Sequence, residues 1–462
     1  MHDRQLLELL PDDTTLSWVR RGDGLVGWGT AARLDTRGPE RFAEADAWWQ
    51  RLHQDMDVDD EVRLPGTGPV AFTSVAFADE PGHSVLVVPE VVVGQRDGVR
   101  WITTISGDND GVGRADEDRE TGGAENRTGE VPASAVLDQV EEPGVIRYSD
   151  GQFSATDYRR AVAEAVRRMN RPRDPDNTDD AEDPDDADGL DKVVLAHDLI
   201  ATSSAPLDSR FLLRNLAERY PGCWTFAVDG LVGSTPELLL ERTGDRVSSR
   251  VLAGTIWPRD GYGPDQLAAE LSYSGKDLEE HSYAVRSVAD TLRPFCAELA
   301  VPERPEVLRL HNVMHLATNV SGTLRSTNGE SSLLRLAEAV HPSAAIGGTP
   351  TEQAVRLIAQ LEDMDRERYT GPVGWVDADG NGELGIALRC AQIHRGSDAA
   401  AGEEHPGEAG QAGTGQAGTG QAGDQLRLFA GGGIVADSDP DLEVAEAEAK
   451  LLPMREAVEG IR

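Results

Sequence analysis

CWTFAVDGLVGSTPELLLERTGDRVSSRVLAGT, residues 223–255, is apolar and β-branched strand material joined by tight turns, with no helical stretch inside it. Strands that follow one another this closely must pair antiparallel, because a parallel pair needs a long crossover, usually a helix. The same reading extends to KVVLAHDLIA (192–201), GPVGWVDADGNGELGIALRCAQI (371–393) and QLRLFAGGGIV (425–435). Nearer the start, TLSWVRRGDGLVGWGTAARL and HSVLVVPEVVVGQRDGVRWITTI alternate or run apolar around Gly-rich turns, the pattern of β-hairpins. A helix is predicted from Phe153, with Tyr158, Val162, Val166 and Met169 on one stripe, and others at 277–296, 330–340, 351–361 and 440–451. Strand pairs separated by helices give an α+β fold class with mostly antiparallel sheet.

The 462 residues allow one large core or up to about three domains. With 82 acidic against 44 basic residues the formal net charge is −38, which repels nucleic acid and anionic lipid and sets both aside as partners. Runs such as 174–191 carry much of that excess and read as solvated surface. The opening MHDRQLLELLPDD lacks the pattern of a secretory signal, and no window approaches the length of apolar chain that a spanning helix needs. Cys223, Cys296 and Cys390 form no CxxC pattern, as expected of inert thiols in a reducing, cytoplasmic setting. Segments 107–133, 171–189 and 396–424 combine Gly, Pro, Asp and Glu with few apolar residues and are expected to be disordered insertions, the last with a repeated GQAGT unit.

Four local patterns imitate sites. Gly22, Gly24 and Gly27 spell GxGxxG, but they sit between strand-like runs rather than opening a helix, so a hairpin turn is expected. Asp377, Asp379, Asn381 and Gly382 begin like an EF-hand loop, yet Leu388 stands where the final Glu belongs. His311 and His315 have zinc-helix spacing without the adjoining Glu. The sequon at 126–128 has no meaning in a cytoplasmic protein.

SDPDLEVAEAEAK, 438–450, carries chemistry on physical grounds alone. Asp439 can cap a helix, Pro440 suits its first turn, and Glu443, Glu446 and Lys450 then share one face. A solvated surface helix often does the same. Glu280, however, shares its stripe with Ala284 and Val288 while Glu279 faces solvent, so a second carboxylate-bearing helix points inward. Buried carboxylates need a cation or a proton, and Glu280 with Glu443 and Glu446 would form an oxygen-rich site suited to Mg²⁺.

Seven collinear blocks, KVVLAHDL at 192, GSTPELLLERTGDRVSSRVLAGT at 233, SGKDLEEHSYAV at 274, HLATNVSGTL at 315, HPSAAIGGTPT at 341, YTGPVGWVDADGNGE at 369 and LFAGGGIVADSDPDLEVAEAEAK at 428, resemble those of isochorismate synthases among the chorismate-utilising enzymes. The resemblance implies two facing, mostly antiparallel sheets with helices outside. It implies one chorismate-binding domain over 1–462, with a variable part at 1–150 and a catalytic core at 151–462. The implied reaction adds water at C2 of chorismate and expels the C4 hydroxyl, with Lys192 as base and Glu237 as acid. Burial should lower the lysine pKa and raise that of the glutamate. By the same resemblance Glu280 and Glu446, with Glu443 direct or through water, hold Mg²⁺ on the ring carboxylate. Tyr369, Arg389 and the Gly433 backbone hold the enolpyruvyl carboxylate, and Lys450 adds positive charge. Gly254 and Thr255 approach the substrate, and His315 lies near the ring. The chain departs from the family pattern at His197, Val444 and Ala447. The implied enzyme is a monomer. Lys192 argues for water over ammonia as nucleophile. Salicylate synthase is the second reading, and an inactive relative acting through protein contacts is the third.

Overall fold

The hairpin predicted at the start of 223–255 forms between Trp224–Val228 and Leu231–Thr235, and a second follows between Leu238–Thr243 and Arg246–Ile256. The two hairpins belong to different sheets, so the chain crosses from one sheet to the other at Pro236 and Glu237. The computed structural model describes residues 5–12, 14–106, 139–171, 189–310, 313–326, 331–395 and 423–461. The three expected insertions fall almost wholly outside them, as do His311 and the sequon at 126–128.

Every described ladder is antiparallel. The first sheet has 11 strands. Its central path runs from Lys192–Ser203 through Gln425–Ile434, Cys390–His394, Leu231–Thr235, Trp224–Val228 and Leu16–Arg20 to Asp23–Trp28, Val91–Arg96 and Val99–Thr104. Gly348–Thr349 and Ile146–Asp150 share the outer edge of Lys192–Ser203. The second sheet has 10 strands and runs from Cys296–Ala300 through Met314–Leu324, Arg246–Ile256, Leu238–Thr243 and Gly382–Ile386 to Pro372–Asp377, Val70–Ser74, Ser84–Val88 and Ala32–Thr36. Glu306–Arg309 pairs with Met314–Leu324 beside Cys296–Ala300.

Large side chains from both sheets, including Trp18, Phe226, Phe72 and Trp375, form the layer between them. Such flat rings fill the space between two facing sheets because each strand offers every second residue to it. Helices α1 (Arg41–Gln54), α4 (Pro264–Tyr273), α5 (Gly275–Leu292) and α6 (Leu333–Val340) serve the second sheet. Helices α2 (Ala155–Met169), α3 (Ser209–Arg219), α7 (Thr351–Leu361) and α8 (Pro440–Glu459) serve the first. This is the α+β arrangement of two facing sheets expected from the sequence.

Three details differ. Helices α1, α3 and α4 were not predicted. The helix expected over 277–296 ends at Leu292, and Cys296 opens a strand. Helix α8 continues through Pro453 to Glu459, where a proline should have stopped it. Its packing against α2 and α3, with Leu451, Met454, Ala457 and Val458 buried, outweighs the lost backbone hydrogen bond. Gly22 and Gly24 lie at the hairpin closed by Arg20 and Asp23, and Asp377–Gly382 forms the tip joining two strands, so neither imitated site exists. All three cysteines are free and buried.

Candidate active site

Glu237 is placed by the crossover between sheets. Its side chain is 5% exposed, and its Oε1 accepts a hydrogen bond from the Leu252 amide at 3.4 Å. Burial raises its pKa to about 8, against the opposing pulls of that amide and of the Lys192 charge. A carboxyl group so placed is neutral at pH 7 and can give a proton.

Lys192 opens the long strand Lys192–Ser203 of the first sheet, where Thr349 pairs with it on the outer side. Its side chain is 3% exposed, and Nζ lies 2.9 Å from Glu280 Oε1. The apolar surroundings expected from Val193, Val194 and Leu195 are present, yet the amine itself faces a carboxylate. Glu280 stands on α5, whose inward stripe of Ala284 and Val288 is buried while Glu279 is exposed, the predicted phase. Ser274 caps this helix through the Asp277 amide at 3.3 Å. His281 ties it to the second sheet through Ala253 O at 3.2 Å and Thr318 Oγ1 at 2.7 Å.

On α8, Asp439 caps the Asp441 and Leu442 amides at 2.9 and 3.1 Å with Pro440 at the first position, as predicted. Glu443, Glu446 and Lys450 therefore face the strand Gln425–Ile434. Lys450 Nζ bonds Glu446 Oε1 at 2.7 Å and Gly431 O at 2.9 Å. Ser438 Oγ donates to Glu443 Oε1 at 2.8 Å. The glycines of that strand create the room: a Cβ on Gly433 would lie 2.5 Å from Lys192 Cε and 2.9 Å from Glu280 Oε1. One on Gly432 would lie 3.3 Å from Glu443 Oε2.

The remaining walls come from both sheets. Gly254 sits at φ +76°, at an irregularity in the ladder between Arg246–Ile256 and Met314–Leu324, where a side chain would press on Asp277. Thr255 Oγ1 lies 3.1 Å from His315 Nδ1. Burial, reinforced by Arg389 and Lys450, lowers the His315 pKa to about 3, so the ring is neutral. Arg389 has φ +48°, a left-handed conformation that is costly for a non-glycine residue and concentrates at functional sites. Its Nη1 reaches Lys450 O at 3.4 Å, and burial lowers its pKa. Tyr369 stacks on Phe429 with centroids 5.1 Å apart. The buried pair of Glu362 and Arg366, 2.6 Å apart, fixes two wall segments: Arg366 Nη2 donates to Val194 O at 2.7 Å and Nη1 to Ile346 O at 3.3 Å.

All twelve residues singled out from the sequence, Lys192, Glu237, Gly254, Thr255, Glu280, His315, Tyr369, Arg389, Gly433, Glu443, Glu446 and Lys450, line one cavity of about 320 Å³. That volume suits a small metabolite. Lys276, Asp277 and Thr370 line it too and were not picked out, because helical and strand periodicity say nothing about residues at element ends and in turns. A larger cleft of about 720 Å³ lies near Thr15; of its four arginines, Arg33 and Arg368 pair with Asp229 and Arg395 with Asp424.

The carboxylates suit a hard divalent cation. Burial raises the Glu443 pKa and the neighbouring Glu446 charge adds to it, a repulsion that a cation would relieve. Burial also acts upward on Glu446, but the charge and hydrogen bond of Lys450 outweigh it and lower its pKa. Among the described residues no three acidic, histidine or cysteine side chains are grouped closely enough to hold an ion alone.

The sequence profile described as "Chorismate binding enzyme" matches residues 13–400 and 420–459. Isochorismate synthase DhbC of Bacillus subtilis (strain 168) is 37% identical over 282 residues, 58% of this chain and 63% of that protein, so the alignment spans less than two thirds of the relative. A salicylate biosynthesis isochorismate synthase of Pseudomonas aeruginosa is 29% identical over 472 residues, covering 96% of this chain and 85% of that one. A crystal structure of DhbC from Bacillus anthracis superposes with a TM-score of 0.69 and 27% identity, covering 98% of both chains. With the profile matched along nearly its whole length and the fold shared with DhbC, this chain belongs to the chorismate binding enzyme family.

Proposed function

We propose that the chain is an isochorismate synthase, an isomerase that adds water at C2 of chorismate while the C4 hydroxyl departs. The observation that carries this reading is Glu237: a carboxyl group kept neutral to about pH 8 by burial, on the wall of a cavity that also holds a buried lysine amine. The reaction needs one group to take a proton and one to give it. Lys192, as the free amine, takes a proton from the attacking water. Glu237 gives its proton to the C4 oxygen, which leaves as water while the ring π electrons shift. One water enters and one departs, so the product is an isomer of the substrate.

Chorismate is a dianion, and the cavity offers matching groups. Arg389, Tyr369 and the Gly433 amide are assigned to the enolpyruvyl carboxylate, with Lys450 adding charge. Gly254 and Thr255 border the ring, and the neutral imidazole of His315 lies beside it. Mg²⁺ held by Glu280 and Glu446, with Glu443 direct or through water, would neutralise and orient the ring carboxylate as a Lewis acid.

Incubation with chorismate and Mg²⁺ followed by chromatography tests the reading, with isochorismate the expected product. Salicylate would establish pyruvate elimination, the second reading. Unchanged chorismate would end both. We further read the enzyme as a cytoplasmic monomer without nucleic-acid or membrane partners, given its net charge of −38 and its free buried cysteines. Among the described residues no helix is long and apolar enough to cross a membrane. A dimer in sedimentation velocity would overturn the monomer.

A further inference from the structure

The chain contains three lysines against 41 arginines, and all three lysines, Lys192, Lys276 and Lys450, line the one cavity. Elsewhere guanidinium groups serve: apart from two histidine pairs, the described surface ion pairs use arginine, as in Arg33 with Asp35 and Arg356 with Glu352. In such a chain a lysine marks a place where an ammonium does something a guanidinium does not. Two of the three have roles in the reading above. Lys276 has none.

Its placement argues independently. Lys276 lies in the first turn of α5, where the exposed amide ends of the helix disfavour a positive charge. It is four residues before Glu280, so both project from one face of the helix into the cavity. Lys192 and Lys450 are each bound to a carboxylate, at 2.9 and 2.7 Å. Lys276 is exposed and makes no hydrogen bond or ion pair among the described residues, although its charge is felt by Glu443 on α8. An unengaged, solvent-facing ammonium on the wall of a cavity for a dianion is set to meet the incoming ligand.

We propose that Lys276 is a substrate-binding residue whose ammonium pairs with a carboxylate of the bound dicarboxylate at the solvent-facing side of the cavity. The proposal rests on the assignment of chorismate as substrate. An ammonium is a compact point charge with three freely turning donors, whereas a guanidinium is a broad planar fork, so arginine should replace it poorly.

The test compares wild-type protein with Lys276→Gln and Lys276→Arg in steady-state kinetics with chorismate and Mg²⁺. Loss of one charge-assisted contact is expected to raise KM about tenfold, with kcat changed less than about threefold. Lys276→Arg is expected to recover only part of that loss. KM within about twofold of wild type in Lys276→Gln, or full recovery in Lys276→Arg, overturns the proposal. Limited acetylation of the wild-type protein, mapped by mass spectrometry, needs no variant. Lys276 should react first, and saturating chorismate with Mg²⁺ should slow it. If the wild type protects Lys276 but makes no product, the isomerase reading falls while the contact stands. If chorismate gives no protection, the contact is refuted even where turnover is seen.

Discussion

Lys192 Nζ and Glu280 Oε1 are 2.9 Å apart, so the proposed base and one proposed metal ligand share a hydrogen bond across the cavity. That contact occupies one side of the amine, so the attacking water must meet Lys192 Nζ on the side Glu280 leaves open. Lys192→Ala is expected to lower kcat/KM by about 10²–10⁴, the usual contribution of a positioned base, while circular dichroism shows a folded protein. Turnover near that of wild type would remove Lys192 from the base role.

Glu237 predicts a pH dependence with a definite sign. Its pKa is raised from 4.5 to about 8 in the folded protein, so the folded state keeps a proton that the unfolded state releases. The resulting contribution to stability is complete below the unfolded value and is lost as pH rises through about 8. The melting temperature should therefore fall over that window, and kcat should fall on its alkaline side. Glu237→Gln, which resembles the protonated acid, should fold normally, lack this thermal pH dependence and have no measurable isomerase activity. An unaltered thermal pH profile in the variant would count against the assignment.

Gly433 tests the geometry rather than a functional group. A methyl group there would meet Lys192 Cε at 2.5 Å and Glu280 Oε1 at 2.9 Å. Gly433→Ala is expected to displace the amine and cut kcat by about a hundredfold or more, as small misplacements do. Thermal unfolding should shift little, since the clash falls on movable side-chain ends. A fully active alanine variant would mean that Lys192 lies elsewhere in the working enzyme.

Arg389→Lys keeps a positive charge but loses the planar fork. If Arg389 holds a substrate carboxylate, KM should rise about 10–100-fold with a smaller effect on kcat. The opposite split, an intact KM with a collapsed kcat, would assign Arg389 to the reacting centre instead.

Metal dependence is open to direct measurement. Dialysis against EDTA should abolish conversion and Mg²⁺ should restore it, with Glu446→Gln requiring more Mg²⁺ for half-maximal rate than wild type. Full activity in metal-free buffer would leave the carboxylates of Glu280, Glu443 and Glu446 without the role proposed for them.

Much of this arrangement was legible before any coordinates. Hairpin spacing in 223–255 announced antiparallel sheet, helical phase turned Glu280 inward, and the same phase put Glu443, Glu446 and Lys450 on one face. What one-dimensional patterns could not reveal was which sheet each hairpin joins. The burial of Glu237 follows from the sheet change between Thr235 and Leu238, a tertiary event with no periodic signature. The pairing of Lys192 with Glu280 was equally hidden, because the residues are 88 positions apart and meet only once α5 packs on its sheet. The helix expected over 440–451 runs on through Pro453 to Glu459 because tertiary packing holds it where local chemistry favours a stop.

The strands of residues 16–104 are shared between both sheets, four in the first and three in the second. Two of them, Leu16–Arg20 and Val70–Ser74, lie directly against Trp224–Val228 and Pro372–Asp377 from the later half of the chain. Cutting the protein before the segment that bears the cavity would thus leave two raw, apolar margins with unsatisfied amides and carbonyls, surfaces that recruit other chains into aggregates. The opening hundred residues act as a selvedge, and the catalytic cloth frays without it.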